Sequence, residues 1–314
     1  MEGLAALCKG RPPIFARPGL DCGPVFAMIG PPLRSMNNLN RRDFVKTSLA
    51  TAALAALPAA AVAAAAPGSS GQYFELRAYR LKPGADHTLL DGYLEKAFIP
   101  ALNRRGIDTV GVFTAAPAAP DAAGKAPEPD PESPAVWVLI PHPSLDSVAS
   151  VAATLNVDPE VLAHGSDYLT TPTIKQPAFD RIDSWLFLPF EGLPALAVPA
   201  LARGNKPRIF ELRTYQSPSE LKALNKVAMF NAGEIGVMQE LGLSPVFYGQ
   251  CLLGRDLPHL TYMLCGPDLA THKKNWQGFM NHPVWIKLKN DPQYADNVSK
   301  VTSRFLVPAA YSQI

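Results

Sequence analysis

Phe74-Glu75-Leu76-Arg77-Ala78-Tyr79 and Phe210-Glu211-Leu212-Arg213-Thr214-Tyr215 agree at every position but one, 136 residues apart. Each alternates apolar and polar side chains, as a strand with two different faces does. The same offset carries Gly106 onto Gly242 and Val110 onto Val246. Further on, Trp137-Val138-Leu139 aligns with Tyr262-Met263-Leu264 at an offset of 125, which implies an 11-residue insert in the first copy. The Pro/Ala/Asp-rich stretch Pro117–Pro134 accommodates it and reads as a solvated loop. The chain is an internal duplication.

Both copies read strand, helix, strand, strand, helix, strand. In the first, a strand at Tyr73–Lys82 stops at Pro83-Gly84. A helix over Ala85–Arg105 follows, with Leu89, Leu90, Tyr93, Leu94, Ala97, Phe98, Ala101 and Leu102 on one face and Gly106 ending it. Pro100 inside this run predicts a kink or a break. Strands near Ile107–Ala115 and Ala135–Pro141, helical matter in Ser144–Tyr168 and a strand at Arg181–Leu188 complete the copy. The second copy has strands at Arg208–Gln216, Leu243–Leu252, His259–Cys265 and Asn297–Val307, and helices at Pro218–Leu241, Asp268–Asn281 and Val284–Lys289. This βαββαβ order defines an α+β class of two tandem ferredoxin-like units. The units are expected over residues 72–190 and 208–314, joined by a Pro/Ala/Gly-rich linker at 191–207, with their sheets packed face to face.

Ahead of the repeats lies an address. Asn40-Arg41-Arg42-Asp43-Phe44-Val45-Lys46, followed by the alanine-rich run Leu49–Ala66, resembles a twin-arginine (Tat) signal peptide, assigned to residues 36–66. Alanine transfers weakly into hydrocarbon, so a cleaved signal is expected rather than a stable membrane span. Residues 1–35 show no periodicity and read as a spurious or disordered extension, with translation beginning at Met36. The expected destination is the periplasm or the medium.

Seven of the 29 basic residues and three of the 27 acidic ones precede residue 67, leaving 22 against 24 in the mature part. That near-neutral balance excludes a phosphate-backbone footprint, so no nucleic-acid partner is expected. Cys251 and Cys265 fall too far apart along adjacent strands for a disulfide and read as free thiols. His87, His142, His164, His259, His272 and His282 form no HxH or HExxH spacing, so no metal site is expected.

The second copy resembles the NIPSNAP family through Phe210–Tyr215, Gly233-Glu234, Glu240-Leu241-Gly242-Leu243, Leu257–Leu264 and Trp276…His282-Pro283-Val284-Trp285. The first copy shares its opening strand and helix and departs in its long loop and over Ala149–Ser166. The resemblance implies a dimeric α/β-barrel arrangement, in a superfamily that includes cofactor-free monooxygenases, isomerases and haem-handling enzymes. It transfers no reaction.

Period-two alternation sorts Phe74, Leu76 and Ala78 toward the helices. It sorts Glu75, Arg77 and Tyr79, with Glu211, Arg213 and Tyr215, toward a cavity between the sheets. These six are the candidate ligand-binding residues, with Glu211, Arg213 and Tyr215 the candidates for catalysis through an ion pair and an oxyanion donor. The competing reading has the six satisfy one another in a polar core. His272, Trp276, Phe279 and Trp285 read as core, and Asn231 and Glu234 read equally as capping or surface residues and as functional ones. The favoured function is binding of a small apolar or acidic molecule, with a cofactor-independent oxygenase or isomerase as its catalytic form. A non-catalytic scaffold and a haem-handling protein are the alternatives. No cofactor is assigned, with haem left open, as is homo-oligomerisation. Under the binding reading, Arg213→Ala abolishes ligand uptake; under the scaffold reading, it only lowers the melting temperature.

Overall fold

A computed structural model describes residues 71–117 and 134–314. The signal peptide at 36–66, the extension at 1–35 and nearly all of the inserted loop lie outside the described residues. Eight strands carry the fold: β1 (Tyr73–Arg80), β2 (Gly111–Ala115), β3 (Ala135–His142), β4 (Arg181–Pro189), β5 (Ile209–Gln216), β6 (Ser244–Leu253), β7 (His259–Gly266) and β8 (Lys300–Pro308). They form one closed barrel in the order β1-β3-β2-β8-β5-β7-β6-β4, antiparallel at every seam. Within each half the order is fourth-first-third-second strand. The halves join edge to edge, through β2 with β8 and β4 with β6.

This closure corrects the expectation of two sheets packed face to face, and it reverses the strand faces. Eight strands enclose a lumen that side chains just fill. Phe74, Leu76, Ala78, Phe210 and Leu212 point into it and form one cluster with Phe113, Trp137, Phe187, Phe247 and Met263 from around the barrel. Glu75, Arg77, Tyr79, Glu211, Arg213 and Tyr215 therefore lie on the outer face, beneath the helices. Tyr79 packs with Leu90, Tyr93 and Leu94, and Tyr215 against Phe230 and Tyr262. An outer face covered by helices offers partners for the charged row, whereas the part of the lumen filled by apolar side chains offers none. The charged row goes where partners exist.

One end of the lumen is closed. Phe74, Phe113, Phe210 and Phe247 fill it, and the carboxy-terminal Ile314 is fully buried among them. A Cβ on Gly111 would come within 2.7 Å of the side chains of Ile314 and Phe113. The linker braces the same end: Ala197 donates its N–H to Val246 at 2.9 Å, and Leu196, Val198 and Leu201 pack on the cluster.

The first helix of each half is interrupted in the same way. α1 (Thr88–Tyr93) passes through a π-turn at Leu94–Phe98 into α2 (Ile99–Asn103). α6 (Glu220–Met229) passes through Phe230–Glu234 into α7 (Ile235–Glu240). The interruptions are 136 residues apart. Gly236 stands where the first copy has Pro100, so the bulge does not require proline, and the interruption expected at Pro100 takes the form of a π-turn just before it. The remaining helices are α3 (Leu145–Thr154), α4 (Pro159–Thr170), α5 (Ala200–Arg203), α8 (Leu269–Asn281) and α9 (Pro283–Lys289). Among the described residues no helix is long and apolar enough to cross a membrane.

Strand pairing also corrects the repeat alignment. Arg77 lies opposite Val138, and Arg213 opposite Tyr262, so β3 and β7 correspond at an offset of 124, not 125. A shift of one residue moves a side chain to the other face of a sheet. Trp137, opposite Ala78, is thus a lumen residue whose counterpart is Thr261, while Tyr262 faces the helices.

Candidate functional site

The six residues singled out from sequence gather into two buried polar hubs, one per half. Glu211 is the centre of the second. Its carboxylate accepts from Arg213 Nη1 at 2.6 Å and Ser303 Oγ at 2.5 Å on one oxygen. The other oxygen is 2.7 Å from His272 Nε2 and accepts from Trp276 Nε1 at 2.6 Å. Arg213 Nε donates to Tyr215 Oη at 3.2 Å, and that hydroxyl is 2.8 Å from Tyr262 Oη. The Arg213 guanidinium also lies 4.6 Å from the Trp276 ring centroid. In the first hub Glu75 accepts from Arg77 through Nε at 2.6 Å and Nη2 at 3.0 Å, and from Ser184 Oγ at 2.8 Å, with His142 Nε2 at 3.1 Å.

The two histidines reach equivalent carboxylates from different places. His142 ends β3, and the matching residue of β7 is Gly266. A Cβ on Gly266 would lie 3.0 Å from Nδ1 of His272, which arrives instead from α8. The glycine makes room for the replacement ring.

Burial opposes ionisation of Glu75 and Glu211, but their histidine bonds, the adjacent arginine charges and the serine hydroxyls override it and hold both carboxyls at about 2. Burial raises Tyr79 and Tyr215, so both stay protonated at neutral pH. A carboxyl whose pKa falls on folding stabilises the fold above its unfolded value and loses that contribution as pH drops. The window here runs from about 4.5 down to about 2. Over it each glutamate forfeits about 3 kcal/mol. The urea midpoint should therefore hold between pH 7 and 5 and fall steeply by pH 3, with a shallower fall in Glu75→Gln. A midpoint unchanged at pH 3 contradicts this assignment.

The second half carries a further buried pair. Lys226 Nζ lies 2.5 Å from Glu234 Oε1, ringed by Phe230, Trp285 and Tyr215 at 4.8, 5.3 and 5.8 Å from their centroids. Burial lowers the lysine and raises the glutamate, each toward its neutral form. Glu234 is therefore buried, neither a cap nor a surface residue, while Asn231 accepts from the linker N–H of Gly192 at 3.1 Å. Trp276, Phe279 and Trp285 pack in the helix layer, as expected of core residues.

The cavity of the barrel lies elsewhere, at the open end of the lumen. It has a volume of about 410 Å³, within the range of small-molecule sites. Leu76, Trp137, Trp185, Phe187 and Leu212 form its apolar wall. Its polar part comes from Thr214, Gln216, Thr261 and Thr302, with His259, Arg255, Asp256, Lys300 and Arg304. Burial pushes His259 below its ordinary value, so its ring is neutral at pH 7, and Nδ1 lies 3.3 Å from Thr261 Oγ1. Two glycines shape the wall. Gly254, at φ +147°, would place a Cβ 2.2 Å from the Trp185 ring, and one on Gly249 would lie 2.5 Å from Phe187. Cys251 and Cys265 are buried free thiols of the lumen cluster, each pushed up to about 12 by burial. None of the six sequence candidates lines this cavity. Trp137 was hidden by the one-residue alignment slip. Lys300, Thr302 and Arg304 could have been found from their period-two spacing on β8.

Comparison with known proteins matches two segments of the chain. The NIPSNAP family profile matches residues 210–313, and the TAT (twin-arginine translocation) pathway signal sequence matches residues 38–58. No curated protein matches the chain. Among solved structures, a proposed monooxygenase from Lactobacillus acidophilus NCFM aligns over 76% of this chain and 94% of its own, at 7% identity and a TM-score of 0.45. A NIPSNAP family protein from Agrobacterium tumefaciens str. C58 aligns over 34% and 91%, at 16% identity and 0.32. A NIPSNAP-like domain protein from Burkholderia xenovorans aligns over 33% and 88%, at 17% and 0.30. Residues 210–313 are a NIPSNAP domain, carried behind a Tat signal sequence that marks the chain for export to the periplasm or the medium.

Proposed function

We propose that this exported protein binds a small molecule in the open end of its barrel, and that it does so as two tandem ferredoxin-like units fused into a one-chain version of a dimeric α/β barrel. The fourth-first-third-second strand order of each half supports the second part. The cavity of about 410 Å³ between the two halves carries the first. It joins an aromatic wall to a polar rim, the combination that buries a ligand's body while orienting its polar end. In the catalytic form of this reading, an oxygenase or isomerase without a cofactor, neutral His259 is the lining group equipped to accept a proton from bound substrate.

The Glu-Arg-Tyr rows take a different part. They order the helix layer over the barrel and do not touch the ligand. Arg213→Ala is then expected to lower the melting temperature and leave binding intact, so that substitution no longer separates a binding protein from a scaffold.

A neutral fluorescent probe, N-phenyl-1-naphthylamine, tests the site. The mature protein should bind it, and Thr214→Trp or Thr302→Trp, each placing an indole in the cavity, should abolish binding with the melting temperature nearly unchanged. Absence of binding, or binding that survives both fillings, overturns the proposal.

A further inference from the structure

We infer that the ligand class is an apolar alcohol, held in one orientation with its hydroxyl on a threonine ledge of the second half and its body against the tryptophans of the first. This rests on the binding reading above and adds the polar group that the cavity selects. Strand pairing sets the ledge. Thr214 of β5 lies opposite Thr261 of β7 on one side and Thr302 of β8 on the other, so three adjacent strands place a threonine at one level of the lumen. All three line the cavity. At the equivalent level of the first half, Ala78 of β1 lies between Trp137 of β3 and Asp183 of β4. The Asp183 carboxylate is engaged by Arg80 Nε at 3.0 Å and Arg255 Nη2 at 3.1 Å. Trp137 stacks with Trp185 at 6.0 Å between centroids, with planes 21° from parallel. β1 and β5 are four places apart in a ring of eight, so the two levels oppose each other across the lumen. The duplication has kept the frame and changed the chemistry of one side.

The ledge is a hydrogen-bond chain. Thr214 Oγ1 lies 2.9 Å from Thr261 Oγ1, which lies 3.3 Å from His259 Nδ1. Thr261 and His259 are 2% and 3% exposed, whereas Thr214 is only half-buried, so a ligand meets the chain at Thr214. A hydroxyl donates one hydrogen and accepts at two lone pairs, and a neutral imidazole offers one N–H and one lone pair. The chain can therefore run in either direction. Donation from Thr214 through Thr261 to Nδ1 leaves lone pairs on Thr214 for the ligand. Donation from Nδ1 through Thr261 to Thr214 leaves a hydrogen there instead. A ligand hydroxyl satisfies both states, and an ether satisfies one. A hydrocarbon satisfies neither, and it strips water from the ledge without replacing the lost bonds.

Two probes of the same shape isolate the hydroxyl. 2-Naphthylmethanol and 2-ethylnaphthalene share a ring system and differ by a hydroxyl in place of a methyl group. Displacement of N-phenyl-1-naphthylamine from the mature protein should find the alcohol at least about tenfold tighter, although the hydrocarbon has more apolar surface to bury. The order should invert in Thr214→Val, a change of nearly equal volume that suits a strand. It should survive in Thr214→Ser, which keeps the hydroxyl. Thr302→Val, at the same level of the ledge, should reduce the preference severalfold and serves as the reading if Thr214→Val does not fold. If the hydrocarbon binds as tightly as the alcohol, or if both valine variants keep the parent's preference, the inference fails while the binding function stands. If neither naphthalene compound nor N-phenyl-1-naphthylamine binds, both fail.

Discussion

Glu211→Ala is expected to lower stability by about 3–5 kcal/mol, the cost of leaving buried charge without its partner. No other single truncation of the two hubs strands as many groups. Arg213, His272, Trp276 and Ser303 all direct a donor at this carboxylate, and its side chain is only 2% exposed. These partners come from β5, α8 and β8, so the loss loosens the attachment of α8 to the barrel as well as the local bonds. Glu211→Gln keeps the shape but brings an N–H₂ group to face donors, so it should recover less than half of the loss. For a chain of this size each kcal/mol moves the melting temperature by about 2–4 °C, which gives a fall of roughly 6–20 °C. Differential scanning calorimetry of the two variants checks this. A fall under 3 °C for Glu211→Ala would show that water replaces the carboxylate at no cost and that the hub is not buried in solution.

The hubs show where sequence reading succeeds and where it stops. Alternation in Phe74–Tyr79 and Phe210–Tyr215 correctly separates two rows of side chains, because the pleat of a strand is local geometry. Which row faces the lumen is not local. It depends on whether the halves pack face to face or join at β2 with β8 and β4 with β6, a choice made by edges far apart in sequence, as in the pairing of Phe113 with Pro308 and of Pro189 with Gly249. The general expectation that apolar rows face helices is sound for an open sheet and fails for a closed one, whose interior must be filled by the bulky row. The cavity residues were illegible for the same reason. Trp137 and Trp185 come from opposite flanks of β1 in the sheet, and only closure sets Arg304 of β8 against the first of them. The histidine partners differ again. His142 and His272 occupy unrelated positions in the repeat, so comparing copies could not identify them as equivalent; only the shared target carboxylate does.

Comparison of the copies does supply a second large effect, at the buried pair Lys226 and Glu234. The 136-residue offset that aligns the two π-turns places Leu90 at the site of Lys226 and Phe98 at the site of Glu234. The first half thus builds the same bulged helix with two fully buried hydrophobic residues, at 0% and 1% exposure. Lys226→Leu alone leaves the buried Glu234 without its ammonium partner, and should cost about 3–5 kcal/mol. Glu234→Phe alone strands the lysine and adds a ring to a filled space, with a loss of similar size. The double substitution restores what the first copy already contains. It should return stability to within about 1 kcal/mol of the parent or exceed it, since well-packed apolar replacements of buried ion pairs are often neutral or stabilising. The coupling between the two sites is then at least about 5 kcal/mol in a double-mutant cycle read from urea unfolding, far above that of independent positions. Additive losses would mean that the bulge in the second half needs its charges for folding. A restored double variant would mean that the pair is retained for something other than stability, at a place where helix, linker and the Tyr215–Tyr262 bond converge.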